Sequence, residues 1–267
     1  MAGDTDVPGK GSGRFYHIDC AAGDIAPYVL TCGDPARAET IAGFLEDAAL
    51  RGKHREFQVI TGLYKGIPTS VMATGIGPSA TAIALVEIAQ CMPSATFIRL
   101  GTCGALQEHI APGDLVITER ALRDENTTHY YASSDLEARA HPLVLESLLE
   151  AARELGIPHH SGLTCTTSDF YAGQGRAVPG FPTREPDKVE KMRKAGALNF
   201  EMEMSVYLTL ARCSSYPLRA GGMCAVLTNR LQGSFASPDL LAEYETRLIK
   251  TGLRGLEILY RRDNGRS

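Results

Sequence analysis

The stretch Ala26-Pro27-Tyr28-Val29-Leu30-Thr31-Cys32-Gly33-Asp34-Pro35-Ala36-Arg37 decides the fold. Residues 26–31 are an apolar run of strand length. The turn Cys32-Gly33-Asp34-Pro35 leads straight into a helical pattern over 37–45, with Asp34 as N-cap and Pro35 in the first turn. Moving outward, the alternation continues. Strands are expected at 57–61, 67–73 and 96–100, with a helix at 79–91. A strand at 114–119 follows the turn Pro112-Gly113, and an amphipathic helix at 142–155 is stopped by Gly156. Then come a strand at 161–166, a helix at 200–211, a strand at 220–228 and a long terminal helix at 240–260. Strands and helices alternating over the whole length predict an α/β fold with a largely buried sheet, in one domain from residue 15 to 267. No internal repeat and no composition shift marks a linker. The stretch 177–187, with Pro179, Pro182 and Pro186, reads either as a mobile flap or as a plain surface loop.

Composition narrows the function classes. The 267 residues are 44% hydrophobic and 22% charged, ordinary for a chain that buries a sizeable core. A net charge of −4 argues against general nucleic-acid binding, which needs a basic face. No apolar run approaches the roughly 18 residues of a membrane span. Residues 1–14, rich in Gly, Asp and Ser, read as a disordered or extended tail rather than a secretory signal. The seven cysteines form no C-x-x-C pair, and most lie in apolar runs. They are expected to be buried free thiols in a reducing, cytoplasmic setting, not disulfides or zinc ligands.

Four polar, mostly glycine-bearing segments adjoin the expected strands, where open α/β sheets bind ligands. In Gly33-Asp34-Pro35-Ala36-Arg37 the glycine admits an anion to backbone N–H groups. Arg37 either reaches back to it or is merely solvated. In Arg99-Leu100-Gly101-Thr102-Cys103-Gly104 an arginine inside an apolar strand needs a partner: a bound oxyanion or a structural salt bridge. Thr74-Gly75-Ile76-Gly77-Pro78-Ser79 opens a helix but matches neither the dinucleotide fingerprint nor a P-loop. In Asn199-Phe200-Glu201-Met202-Glu203-Met204 two carboxylates at i and i+2 diverge and are unsuited to a close acid/base pair. One of them is suited to a vicinal diol, or else to a charged helix start.

The segment Ser168-Asp169-Phe170-Tyr171-Ala172-Gly173-Gln174-Gly175-Arg176 adds a base reader. The Gln174 amide and the Arg176 guanidinium match the edge of a flat heterocycle with alternating carbonyls and N–H. Aromatic rings beside them can cover its face.

Taken in order, these segments together with His54-Arg55-Glu56-Phe57 resemble the nucleoside phosphorylase family, over about residues 28–232. Phe170-Tyr171-x-Gly173-Gln174-x-Arg176 is similar to its uridine-cleaving branch. The purine-specific members carry an aspartate late in the chain where this sequence has Val226-Leu227-Thr228-Asn229-Arg230. The resemblance implies a three-layer α/β/α domain with a central mixed sheet. It implies a pentosyltransferase that converts uridine and phosphate reversibly to uracil and ribose 1-phosphate, and it leaves deoxyuridine and thymidine open as substrates.

By the same resemblance, Gly33, Arg37, Arg99 and Thr102 hold phosphate, and Arg55 completes that site from a neighbouring subunit. Glu203, Met202 and Arg99 hold ribose, and His17 reaches the 5′-hydroxyl across the interface. Phe170 packs on the nucleoside, Gln174 reads N3 and O2, and Arg176 sits at O4, so Arg99, Gln174, Arg176 and Glu203 carry the catalysis. Phosphate is the co-substrate and no cofactor is needed. A homodimer or ring of dimers is implied, with neither membrane nor nucleic-acid partner. Some relatives hold a structural cation between subunits near the positions of Glu56 and Ile76. Relatives often carry a second glycine where this chain has Pro78, and the small-residue run after it is shifted.

Overall fold

The computed structural model describes residues 6, 8, 9, 11 and 13–265. Most of the expected tail (residues 1–5, 7, 10 and 12) lies outside the described residues. The first unit is β1 (Tyr28–Cys32), the Gly33-Asp34 turn and α1 (Pro35–Ala42). The Asp34 carboxylate accepts from the Ala36 N–H at 2.9 Å, so the N-cap forms as read. There follow β2 (Glu46–His54), β3 (Phe57–Tyr64), β4 (Ile67–Ala73), α2 (Pro78–Cys91), β5 (Thr96–Ala105) and β6 (Leu115–Asp124). The second half comprises β7 (Ala138–Arg139), α3 (Pro142–Glu154), β8 (His159–Thr167), α4 (Lys188–Lys194), β9 (Ala197–Glu201), α5 (Met204–Cys213), β10 (Arg219–Asn229), β11 (Ser234–Phe235) and α6 (Pro238–Asp263).

All strands join one mixed sheet, in the order β11-β10-β6-β8-β9-β5-β1-β4-β3-β2, with β7 on β6. β10 also pairs with β5, so β5, β9, β8, β6 and β10 close into a ring. Strand residues alternate between two cores. Tyr28, Leu30, Ile98 and Leu100 pack with Ala38 and Ile41 of α1, Leu148 of α3 and Leu253 of α6. Val29 and Phe97 pack instead with Leu85 and Ile88 of α2 and Tyr207 and Leu210 of α5. Helices therefore cover both faces, the three-layer arrangement that a sheet buried on both sides requires.

One feature of the sheet creates the site. On one edge of β5, β1 pairs as far as Thr31 opposite Arg99, and β9 takes over at Phe200 opposite Gly104. Between them neither strand pairs with Leu100–Cys103, and this gap opens into a cleft.

Several expectations change. Gly101–Gly104 is not a turn but the second half of β5. Residues 197–201, partly read as helix, form β9, and α5 starts at Met204. Segment 177–187 is tied down at several points. Thr183 donates to the Ala172 carbonyl at 3.2 Å, Val178 bridges Phe181, and Glu185 pairs with Lys188 at 3.2 Å. Six of the seven free thiols are buried and Cys213 is exposed. Among the described residues no helix is long and apolar enough to cross a membrane.

Candidate active site

The cleft has a volume of about 610 Å³ and gathers four of the singled-out segments along with Gly75 and Ile76. Its lining includes Gly33, Arg37, Arg99, Gly101 and Thr102, the pair Met202 and Glu203, and Phe170, Gln174 and Arg176.

Arg99 is 4% exposed and lies between two buried carboxylates. Its Nε and Nη2 reach Glu201 Oε2 at 3.2 and 3.1 Å, and Nη2 also donates to Glu203 Oε2. Burial alone would depress this guanidinium, but Glu203 and Glu201 outweigh it and hold it above its ordinary range. Glu201 Oε2 accepts further from the Glu203 and Met204 N–H groups at 2.8 Å each, and Thr166 donates to Oε1. Glu201 therefore caps α5 and holds Arg99 at once. Glu203 Oε1 takes the Gly77 N–H at 2.6 Å, at the start of α2. Burial raises the Glu203 pKa, against the opposing pull of Arg99. Gly77 has φ +96°, a conformation that glycine adopts readily and that lets this N–H meet the carboxylate.

Arg37, on the first turn of α1, pairs with Glu245 of α6 and donates to the Leu100 carbonyl at 3.4 Å. The guanidinium is thus turned toward the open edge of β5. Glu56 also lines the cleft, its Cγ 2.7 Å from where a Gly75 Cβ would stand.

In the base-reading segment, Gln174 is 3% exposed, and its Nε2 donates to Thr167 Oγ1 at 3.1 Å. Arg176 donates through Nε to the Phe170 carbonyl at 2.9 Å and stacks over the Phe170 ring at 4.2 Å. Burial lowers the Arg176 pKa. Sequence reading passed over Arg230. It lies beyond β10, donates to the Gln174 carbonyl at 3.2 Å, and carries a buried Nη1 with no hydrogen-bond partner among the described residues. Burial, then the neighbouring Arg176, pushes it down to about 10. Two depressed cations side by side mark a place suited to negative charge. The only hint in the sequence was the position of Arg230 just after an apolar strand.

His17 and Arg55 do not line the cleft of their own chain. They share another surface, where Tyr16 stands edge-on to His17 and His54, and Arg55 lies 6.0 Å from the Tyr16 ring.

Comparison with known proteins identifies the family. Residues 27–253 match the family model described as the phosphorylase superfamily. A uridine phosphorylase of Thermococcus kodakarensis is 44% identical over 235 residues, covering 86% of this chain and 83% of the relative. The uridine phosphorylase of Escherichia coli is 33% identical over 244 residues, covering 88% and 94%. A guanosine phosphorylase of Halorubrum lacusprofundi is 30% identical over 223 residues, covering 84% and 87%.

Proposed function

The chain belongs to the phosphorylase superfamily, and from that premise we propose that it catalyses the reversible phosphorolysis of uridine to uracil and ribose 1-phosphate. One observation carries this reading. A single cleft is lined by Arg37, Arg99 and Thr102, by the buried carboxylate of Glu203, and by Phe170, Gln174 and Arg176.

Phosphate sits at Gly33, Arg37, Arg99 and Thr102, against the unpaired edge of β5. Glu203 accepts from the ribose hydroxyls, with Met202 beside it. Phe170 packs on the nucleoside, Gln174 meets N3 and O2, and Arg176 faces O4. As phosphate attacks C1′ and the bond to N1 breaks, the ribose gains positive charge and the uracil negative charge. That negative charge spreads onto O2 and O4, and Arg176, with Arg230 supporting Gln174 through its carbonyl, is the group that meets it. Donors aimed at charge present only in the transition state accelerate the reaction without tightening the ground state. No protonated acid is then needed at the leaving base.

His17 and Arg55, on their separate surface, serve the cleft of a second copy, so the working unit is a dimer or a ring of dimers. Phosphate is the co-substrate, and no cofactor takes part. Glu56 gives one carboxylate per chain, so the residues fit a structural cation only as half of a shared site.

Absorbance of uridine with and without phosphate tests the reading. Cleavage only with phosphate supports it. Cleavage without phosphate marks a hydrolase, cleavage of guanosine in place of uridine a purine enzyme, and no cleavage a binding protein.

A further inference from the structure

Glu87 is a carboxylate that the reaction described above does not use. It lies on α2 and is only 5% exposed, and a buried carboxylate is costly without donors. Its donors converge from one short stretch of chain. His17 Nδ1 is 2.6 Å from Oε1, and the His17 and Ile18 backbone N–H groups each lie 3.0 Å from Oε2. The imidazole is also framed by Tyr16 and Phe57, edge-on at 4.9 and 6.3 Å between centroids. Among the described residues Nε2 has no hydrogen-bond partner.

A carboxylate only accepts, so in the neutral ring the proton sits on Nδ1 and the lone pair on Nε2. We propose that Glu87 is a positioning residue that fixes this tautomer, so that His17 meets the substrate's 5′-hydroxyl as an acceptor. The proposal rests on the phosphorolysis reading, in which His17 reaches the nucleoside bound by a second copy. It adds a selection rule: the 5′-group must donate a hydrogen bond. A free nucleoside does so. A 5′-ether, or an ionised 5′-phosphate, brings only oxygen lone pairs against the lone pair of Nε2, so the site selects nucleosides over nucleotides.

The variant Glu87→Gln separates orientation from mere support. Glutamine has one acceptor oxygen, and the two backbone N–H groups at the Oε2 position claim it. Its NH₂ then faces Nδ1, so the ring must carry its proton on Nε2 instead. Replacing a carboxylate by its amide switches the tautomer of a serine-protease histidine by the same logic.

The experiment uses the full-length enzyme. The tautomer of His17 is read by ¹⁵N NMR on the deprotonated limb of its titration, assigned by the signal lost in His17→Gln. In parallel, kcat/KM is measured for uridine and 5′-O-methyluridine. We expect Nδ1–H in the wild type and Nε2–H in Glu87→Gln. The preference for uridine over the ether should fall by about tenfold or more in the variant, the worth of one hydrogen bond. A purely supporting role would slow both substrates together. An Nε2–H wild type, or an unchanged substrate ratio in Glu87→Gln, overturns the proposal. A wild type inert toward uridine overturns the phosphorolysis reading instead. The two failures are distinguishable because the tautomer is read without turnover.

Discussion

The guanidinium of Arg99 lies back over Gly101, two residues further along the same strand. A Cβ at Gly101 would stand 2.7 Å from Nη1 and 2.8 Å from Cζ. The glycine is there because an arginine occupies the space a side chain would fill. That contact lets Arg99 reach Glu201 and Glu203 from the last β5 position paired with β1, next to the stretch Leu100–Cys103 left unpaired on that edge.

Gly101→Ala should therefore fold and lose activity. The clashing atoms are the end of a flexible side chain, so Arg99 yields before the strand does. Displaced, it leaves both the phosphate end and Glu203. We expect kcat/KM for phosphorolysis to fall by about 10², in line with the loss of one preorganised donor, with phosphate KM raised. Wild-type kinetics, together with an unchanged melting temperature, would refute this placement of Arg99.

Arg176→Ala should retain the fold and lower uridine turnover by about 10²–10³. Its Nε bond to the Phe170 carbonyl and its stacking on that ring are partly exposed and contribute little to stability. Steady-state kinetics on a variant shown folded by circular dichroism decide the matter, and near-normal turnover would exclude the role at O4.

Much of this site was legible because its chemistry is local. The Gly33–Arg37 turn, the Gln174/Arg176 pair and the Glu201/Glu203 pair each announce themselves within a few residues. What the sequence hid depends on distant partners. Gly101 and Gly104 suggested a turn, but they are small because Arg99 and Arg230 lie over them. A Cβ at Gly104 would stand 3.3 Å from Arg230 Cγ. β2 was missed because it is a largely exposed, polar edge strand without an apolar alternation. β9 has only five residues, too few to show a strand period against the helical pattern that follows it. Arg230 gave only the hint of its place after an apolar strand, since its meaning comes from Arg176, far away in the chain.

His141 should make stability fall in mild acid. It is the N-cap residue of α3, and its buried Nδ1 has no hydrogen-bond partner among the described residues. Burial, then Arg219, lowers its pKa below the ordinary 6.5, with Asp263 opposing. Above 6.5 the ring is neutral in both folded and unfolded chains, and its contribution is intact. As pH falls through 6.5 the unfolded chain takes up a proton that the folded one resists, so stability drops until the folded group also protonates. Melting temperatures between about pH 8 and 5 should decline less steeply for His141→Gln than for the wild type. Parallel curves would rule the histidine out as the source.

Gly175→Ala tests how the base reader is held. Gly175 sits between Gln174 and Arg176 at φ +66°, in the left-handed region. A Cβ there would approach Lys188 Cβ at 3.0 Å and the Glu185 carbonyl at 3.1 Å. Neither atom yields easily. Lys188 is 5% exposed and is held by Asp124 at 2.8 Å and Glu185 at 3.2 Å. An alanine must pay about 1–2 kcal/mol for the conformation alone, and the contact adds to it. The turn then shifts away from Lys188, carrying Gln174 and Arg176 with it, while the phosphate end on β5 and α1 is untouched. We expect a lower melting temperature, a uridine KM raised by about tenfold or more, and a phosphate KM within about twofold of normal. A variant in which both KM values rise together would show that Gly175 supports the whole cleft rather than the base-reading turn.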